Sequence, residues 1–318
     1  MPELPEVETI RKSLQEAIVG KKIKDVTIRL AKVFHGDKRE ILGKTIEAIE
    51  RRGKILIIKL SGDKNLLIHF KLTGQMVWIE KSKIILRQAQ DDAEQSRGIK
   101  NQKSKLITLG HPIPFAGTEL PAKTTHVIFE IDGPPSSAYG ETSARQGGKL
   151  FFNDLRQFGW IKVIENRNLK LEIGKLGVEP FSSEFTVDYL KQIFLKTSKP
   201  IKLVLMDQEK IAGIGNIYAN EALFEAGIKP DKPAKKLRNE EIEKLREATL
   251  RVLGEGLRYG GSSASDEAYI KPTGEPGSYQ EHFRAYQQDG QKCPKCGGMI
   301  KRIALGGRGT FICTGCQR

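Results

Sequence analysis

The residue types most able to do chemistry stand at the two ends of the chain. Cys293, Cys296, Cys313 and Cys316 are the only cysteines among 318 residues, and all four fall in the last 26. They form C-x2-C, a sixteen-residue spacer and a second C-x2-C. Two close thiol pairs joined by a hairpin-length spacer are the donor set of a tetrahedral Zn2+ site. Two disulfides would use the same residues. Nothing at the N-terminus suggests secretion and no other cysteine exists, so one structural zinc is expected. At the other end stands Met-Pro-Glu. Once Met1 is removed, Pro2 carries a free secondary amine next to the Glu3 carboxylate. An α-amino group has a pKa of about 7.7–8.0 against ~10.4 for lysine, so more of it is nucleophilic at neutral pH. A secondary amine that attacks an aldehydic carbon gives an iminium ion, an electron sink that acidifies the adjacent carbon. Glu3 could act as acid and base, and Glu6 could orient the terminus.

Lysine and arginine number 53 against 39 acidic residues, a net charge of +14. A positive field of this size favours a polyanion, nucleic acid ahead of a membrane surface. From Lys292 onward there are six basic residues and no acidic one, so the zinc-held tail suits a phosphate backbone. No apolar run approaches the ~20 residues of a membrane span, and the acidic, proline-punctuated start is not a secretory signal. A cytoplasmic location and a monomer are expected.

Two regimes of periodicity must position these ends. Val7, Ile10, Leu14 and Ile18 share one face of a helix over 6–19, opened by Pro5. Short apolar runs follow at 23–30, 54–60, 66–72, 76–79, 126–131, 150–153 and 159–164, which predicts an antiparallel sandwich or barrel beside that helix. The polar stretches near 81–123 and 134–148 read as insertions between strands. Residues 165–177 read as a connecting segment. Beyond it the spacing is helical: Thr186 caps one helix, Pro200 opens another, a third ends at Gly227, and Asn239 caps a long one stopped by Gly260-Gly261. The fold class is α+β and multidomain.

Five motifs in register extend along nearly the whole chain: PELPEVET, RRGK (51–54), FNDLRQFGW (152–160), LMDQEKIAGIGNIYANEALFEAGIKP (205–230) and the four-cysteine tail. Together they resemble the bacterial formamidopyrimidine-DNA glycosylases. The resemblance implies an N-terminal β-sandwich over 1–165, a hinge over 166–185, a helix–two-turns–helix domain over 186–290 and a zinc-ribbon hairpin over 291–318. It implies base-excision repair of damaged double-stranded DNA: removal of oxidised purines such as 8-oxoguanine and formamidopyrimidines, then β,δ-elimination at the abasic site. Carried over by motif, Pro2 is the nucleophile at the sugar C1′, Glu3 the catalytic carboxylate and Lys54 the lysine near the lesion's sugar and phosphate. His69, Asn216, Arg308 and, more weakly, Tyr286 match phosphate contacts. Leu72, where the family often has methionine, and Arg156 and Phe158 match the residues that fill the space of the extruded base. The Gly- and Ser-rich loop 260–279, with Ser262 and Ser263, matches a segment that closes over that base.

Two other readings remain at this level. An endonuclease VIII-like relative acting on oxidised pyrimidines would share Pro2, Glu3 and the helical module, although the leucine of PELPEVE and the Arg156/Phe158 pair favour purines. A non-catalytic DNA-binding zinc protein would need the charge, Asn216 and Arg308, but has no use for Pro2-Glu3 or Lys54.

Overall fold

Helix α1 (Leu4–Ile18) begins two residues before the sequence spacing suggests, because Glu6 accepts the Glu3 N–H at 2.8 Å and closes the first turn. In the computed structural model, residues 1–81, 120–133, 147–263 and 276–318 are described. Both expected insertions lie largely outside that set, as do residues 264–275 of the expected closing loop.

Among the described residues, nine strands follow α1: β1 (Lys22–Ile28), β2 (Phe34–His35), β3 (Ile46–Arg52), β4 (Ile55–Leu60), β5 (Lys64–His69), β6 (Gly74–Glu80), β7 (Thr125–Asp132), β8 (Gly148–Asp154) and β9 (Trp160–Glu165). One sheet has the order β1-β7-β8-β6 and the other β2-β9-β5-β4-β3. Pairing is antiparallel except for the short β2, which runs parallel to β9. Val7, Ile10, Leu14 and Ile18 of α1 pack between the sheets with Ile49, Leu56, Ile68, Met76, Phe129, Phe152 and Ile161. Each fully buried aliphatic contributes about 1.5–3 kcal/mol before chain ordering is counted, so this helix is fixed firmly to the sandwich.

Three elements went unread in the sequence, the first of them the two-residue β2. β3 reads Ile-Glu-Ala-Ile-Glu-Arg-Arg, whose polar residues hide an edge strand. Residues read as a connection form α2 (Asn166–Ile173), which lays Leu169 on the outer face of the second sheet against Ile55, Ile57 and Leu67. That cover explains why β4 and β5 are apolar on both faces.

The second half is helical: α3 (Val187–Leu195), α4 (Ile201–Leu205), α5 (Asn216–Ala226) and α6 (Asn239–Arg258). Thr186 caps α3 through Tyr189, and Pro200 precedes α4. α6 is capped at Arg238 rather than Asn239, with Glu241 accepting the Arg238 N–H. The hairpin β10 (Ile300–Leu305) and β11 (Arg308–Cys313) closes the chain. Ile300, Phe311 and Cys313 share one core with Tyr218, Leu223 and Phe224 of α5. The cysteine tail is therefore built into the helical half. Leu4 also belongs to this second core, while Val7 belongs to the first. α1 thus straddles both, and residues 2–3 lie at their junction.

Candidate active site and nucleic-acid interface

Glu3 is 1% exposed, and its carboxylate caps a helix distant in sequence. Oε2 accepts the Gly215 N–H at 2.6 Å and Oε1 accepts the Ile217 N–H at 2.9 Å, at the start of α5. The N-terminus of a helix offers unpaired amides and a positive dipole end, so an acid is favoured there. Gly213 and Gly215 permit the approach. A methyl at Gly213 would collide with Leu4, and one at Gly215 would stand 2.4 Å from the Glu3 carboxyl carbon and 2.7 Å from Lys54 Nζ. Only glycine lets the chain start, Lys54 and α5 meet at one point. Burial raises the Glu3 pKa, with Glu6 adding to the rise, while the Lys54 ammonium and the Ile217 N–H oppose it. Glu6, also 1% exposed, accepts the Tyr218 hydroxyl and the Ser262 N–H, both at 2.8 Å. It ties the N-terminus to α5 and to the edge of the 260–279 loop.

Lys54 lies in the turn between β3 and β4 rather than in a strand, and is 5% exposed. That turn is held from the other half of the protein. Glu179 Oε1 accepts from Arg51 Nη1 and from the Gly53 N–H, each at 2.5 Å, while Arg51 Nε also reaches Glu8 at 3.0 Å. Pairing β4 to β5 sets Ile55 opposite His69, and β9 sets Trp160 opposite His69, so Lys54, His69 and Trp160 share one end of the sheet. His69 Nδ1 accepts the Lys71 N–H at 3.0 Å. Burial, with the cations Lys71 and Lys54 close by, pushes its pKa down to about 3. His69 is therefore neutral at physiological pH with its proton on Nε2, a donor and not a cation.

Leu72 falls beyond β5, in the turn before β6, so the expected strand 66–72 ends at His69. The loop joining β8 to β9 carries Arg156 and Phe158, whose ring is 55% exposed and lies 5.5 Å from the Arg156 guanidinium carbon. A large aromatic ring left in water at a sheet end is not a core residue. Both turns project from the sandwich end that also holds His69.

Asn216 is the first residue of α5, and the cap is Gly215, so its side chain is not spent on capping. One turn on, Asn220 is fully buried, with Nδ2 donating to the Asn216 carbonyl at 2.7 Å and Oδ1 accepting the Phe311 N–H at 2.9 Å. Arg308 is exposed at the start of β11, beside the hairpin turn. Tyr286 is buried: its ring is 2% exposed and lies edge-on to Phe283 and Phe311.

Three polar residues that the sequence reading passed over secure the tail. Glu221 accepts the N–H groups of Arg284, Ala285 and Tyr286 at 3.0, 2.9 and 2.7 Å. Asn220 holds β11 as described. Lys202 is fully buried on α4 and donates to the Gly309 carbonyl at 3.0 Å and to Thr310 Oγ1 at 2.7 Å, and burial lowers its pKa to about 7. Each is a polar residue in an apolar helical run, and that was the only available signal.

The four Sγ atoms lie within 4.8 Å of one another. Cys293 and Cys316 are 3.6 Å apart and Cys296 and Cys313 3.5 Å, far beyond a disulfide. Thiolates about 2.3 Å from a central ion stand roughly 3.8 Å apart in a tetrahedron, so the set fits zinc.

Comparison with known proteins decides the family. The model of the formamidopyrimidine-DNA glycosylase N-terminal domain matches residues 1–161, that of its H2TH domain residues 176–268, and a zinc finger found in FPG and IleRS residues 290–318. A formamidopyrimidine-DNA glycosylase of Pelotomaculum thermopropionicum is 35% identical over 100% of this chain and 99% of that one. The chain belongs to the formamidopyrimidine-DNA glycosylase family. Among solved structures, the Thermus thermophilus MutM (Fpg) protein is 30% identical with a TM-score of 0.77, covering 99% of this chain and 98% of that one. Lactococcus lactis Fpg in complex with abasic-site DNA is 28% identical with a TM-score of 0.78, covering 99% of each chain.

In this family frame the zinc holds the basic hairpin against α5. Chelating it is expected to lower affinity for duplex DNA at least about tenfold, since the exposed basic strand that carries Arg308 loses its anchor. The helical core should loosen with it, because Cys293 and Cys313 are part of that core. The sandwich core contains no residue of the tail and should keep its melting transition. Fluorescence anisotropy and calorimetry on the chelated protein check both. Unchanged affinity would overturn the assignment.

Proposed function

We infer that this chain is a bifunctional DNA glycosylase and abasic-site lyase of base-excision repair, acting on oxidised purines in duplex DNA. The observation that carries the mechanism is the meeting of Pro2-Glu3, Lys54 and the start of α5 at the junction of the two cores. Freed of Met1, the Pro2 nitrogen attacks C1′ of the damaged nucleotide. The bond from C1′ to the base breaks, and the base departs with the bonding electron pair and a proton. Glu3 gives a proton to O4′ as the sugar ring opens, leaving an iminium between Pro2 and C1′. Loss of a C2′ proton expels the 3′ phosphate, and a second elimination along the conjugated chain expels the 5′ phosphate. Attack of water on the iminium carbon then releases the sugar fragment as an aldehyde and returns the Pro2 amine.

Lys54, His69, Asn216 and Arg308 bind the phosphates and sugar that flank the lesion. His69, neutral in the DNA-free protein, can donate its Nε2 proton to a phosphate oxygen. Leu72, Arg156 and Phe158 occupy the stack vacated by the base, which offsets an extrusion cost of a few kcal/mol. The enzyme works as a monomer in the cytoplasm. Among the described residues, no helix is long and apolar enough to cross a membrane.

Substrate class is tested by single-turnover rates on duplexes containing 8-oxoguanine opposite cytosine and thymine glycol opposite adenine. The purine lesion should be cut faster. A faster rate on thymine glycol would move the chain to the pyrimidine-acting reading.

A further inference from the structure

The three residues read above as gap-fillers come from two separate turns, Leu72 from one and Arg156 with Phe158 from the other. One buried carboxylate joins those turns. Asp154 ends β8, pairs with Gly74 and is 1% exposed. Its Oδ2 accepts the Gly159 N–H at 2.7 Å, which closes the 154–159 loop across its base. Its Oδ1 accepts the Arg156 N–H at 3.2 Å and the hydroxyl of Thr73, the neighbour of Leu72. Thr73 Oγ1 in turn accepts the Arg156 N–H at 2.9 Å. The residue's own backbone is fixed as well: its carbonyl meets His126 Nε2 at 2.7 Å, and its N–H reaches the Thr124 carbonyl at 2.9 Å.

This arrangement is costly unless it has a use. Among the described residues Asp154 forms no salt bridge, so a carboxylate is buried on hydrogen bonds alone, which proteins tolerate only when each acceptor site is well filled. The loop it closes passes through Gln157 at φ 57°, a left-handed conformation that a non-glycine residue adopts at a cost. A side chain at Gly159 would meet Phe152 at 2.8 Å and Asp154 Oδ2 at 3.0 Å, so that glycine admits the carboxylate. The outcome is an exposed Phe158 under the Arg156 guanidinium, on a loop bonded to Thr73, the neighbour of Leu72.

We propose that Asp154 and Thr73 are positioning residues that lock the two turns into one preformed wedge, so that Leu72, Arg156 and Phe158 enter the DNA stack together. The proposal rests on the gap-filling reading of those three residues. Preforming the wedge removes the ordering cost that two independent loops would meet at the moment of insertion, when the duplex is already unstacked.

Thr73→Val keeps the side-chain shape, removes the bridging hydroxyl and leaves Asp154 bonded to Gly159. Single-turnover excision from a lesion duplex at saturating enzyme should fall about tenfold, the effect of one buried hydrogen bond. On a single-stranded abasic oligonucleotide, where no stack needs filling, borohydride trapping should fall less than about twofold. Phe158→Ala should slow duplex excision more, and adding Thr73→Val to it should cost little further, because both act on one insertion event. An equal loss on single strand and duplex would mark Thr73 as generally structural and overturn the lock. Normal duplex excision by Thr73→Val beside a slow Phe158→Ala would also overturn it. Normal excision by Phe158→Ala would instead remove the gap-filling reading itself. Thermal melting of each variant confirms that the comparison is between folded proteins.

Discussion

Enzyme beginning at Pro2 is expected to be trapped by borohydride on abasic-site DNA through its first residue, and enzyme retaining Met1 is expected to be neither trapped nor able to cut. The loss should be on the order of 10^4-fold or more, as when a covalent nucleophile is removed. Retaining Met1 turns the Pro2 nitrogen into an amide and moves the free amine outward by about one residue, ~3.8 Å between Cα atoms. The surroundings cannot follow that shift. Glu3 is fixed by α5, the Glu3 N–H is fixed by Glu6, and α1 is fixed by the sandwich core. Pro2→Gly keeps an amine at the right place but makes it primary and flexible, so an intermediate loss is expected from that variant. Peptide mapping of the trapped adduct is the decisive measurement. Lys54 is the competing nucleophile, since it points at the same spot beside Glu3. An adduct on Lys54 would overturn the assignment of Pro2.

What could be read from the chain follows from how locally each feature is encoded. Val7, Ile10, Leu14 and Ile18 state a buried helical face within fifteen residues, and the four cysteines state a metal site within two dozen. Motif matching singled out Pro2, Glu3, Lys54, His69, Asn216 and Arg308 for the same reason, each within a short run of sequence. Features formed by residues far apart left no local trace. Glu3 caps a helix 212 positions away, Glu179 holds a turn 126 positions before it, and Lys202 bonds a strand 108 positions later. Edge strand β3 and helix α2 bury only one side among charged residues, so their periodicity was weak. Tyr286 shows what a motif leaves unread: its ring packs edge-on to Phe283 and Phe311 within the helical core.

Glu3→Gln is expected to lower base excision by about 10^2–10^4-fold, the span of a lost general acid–base group. The amide keeps the volume and can still accept one N–H from α5, so folding should persist, and equal melting curves would establish that. Direction of the pKa shift fixes the pH behaviour. Burial holds more of Glu3 in its protonated form near neutrality than an exposed glutamate would have. Donation to O4′ requires that proton, so excision should fall as pH rises through the elevated pKa. The Pro2 amine must be unprotonated to attack, so excision should also fall as pH drops. Wild-type enzyme should thus give a bell, and Glu3→Gln should retain the acid limb while losing the alkaline one. A preformed abasic site already exists partly as the open aldehyde and needs no ring-opening proton. The variant should therefore lose less on that substrate than on a lesion duplex. Equal losses on both substrates, with the alkaline limb intact, would assign the acid to another group and leave Glu3 as a helix cap.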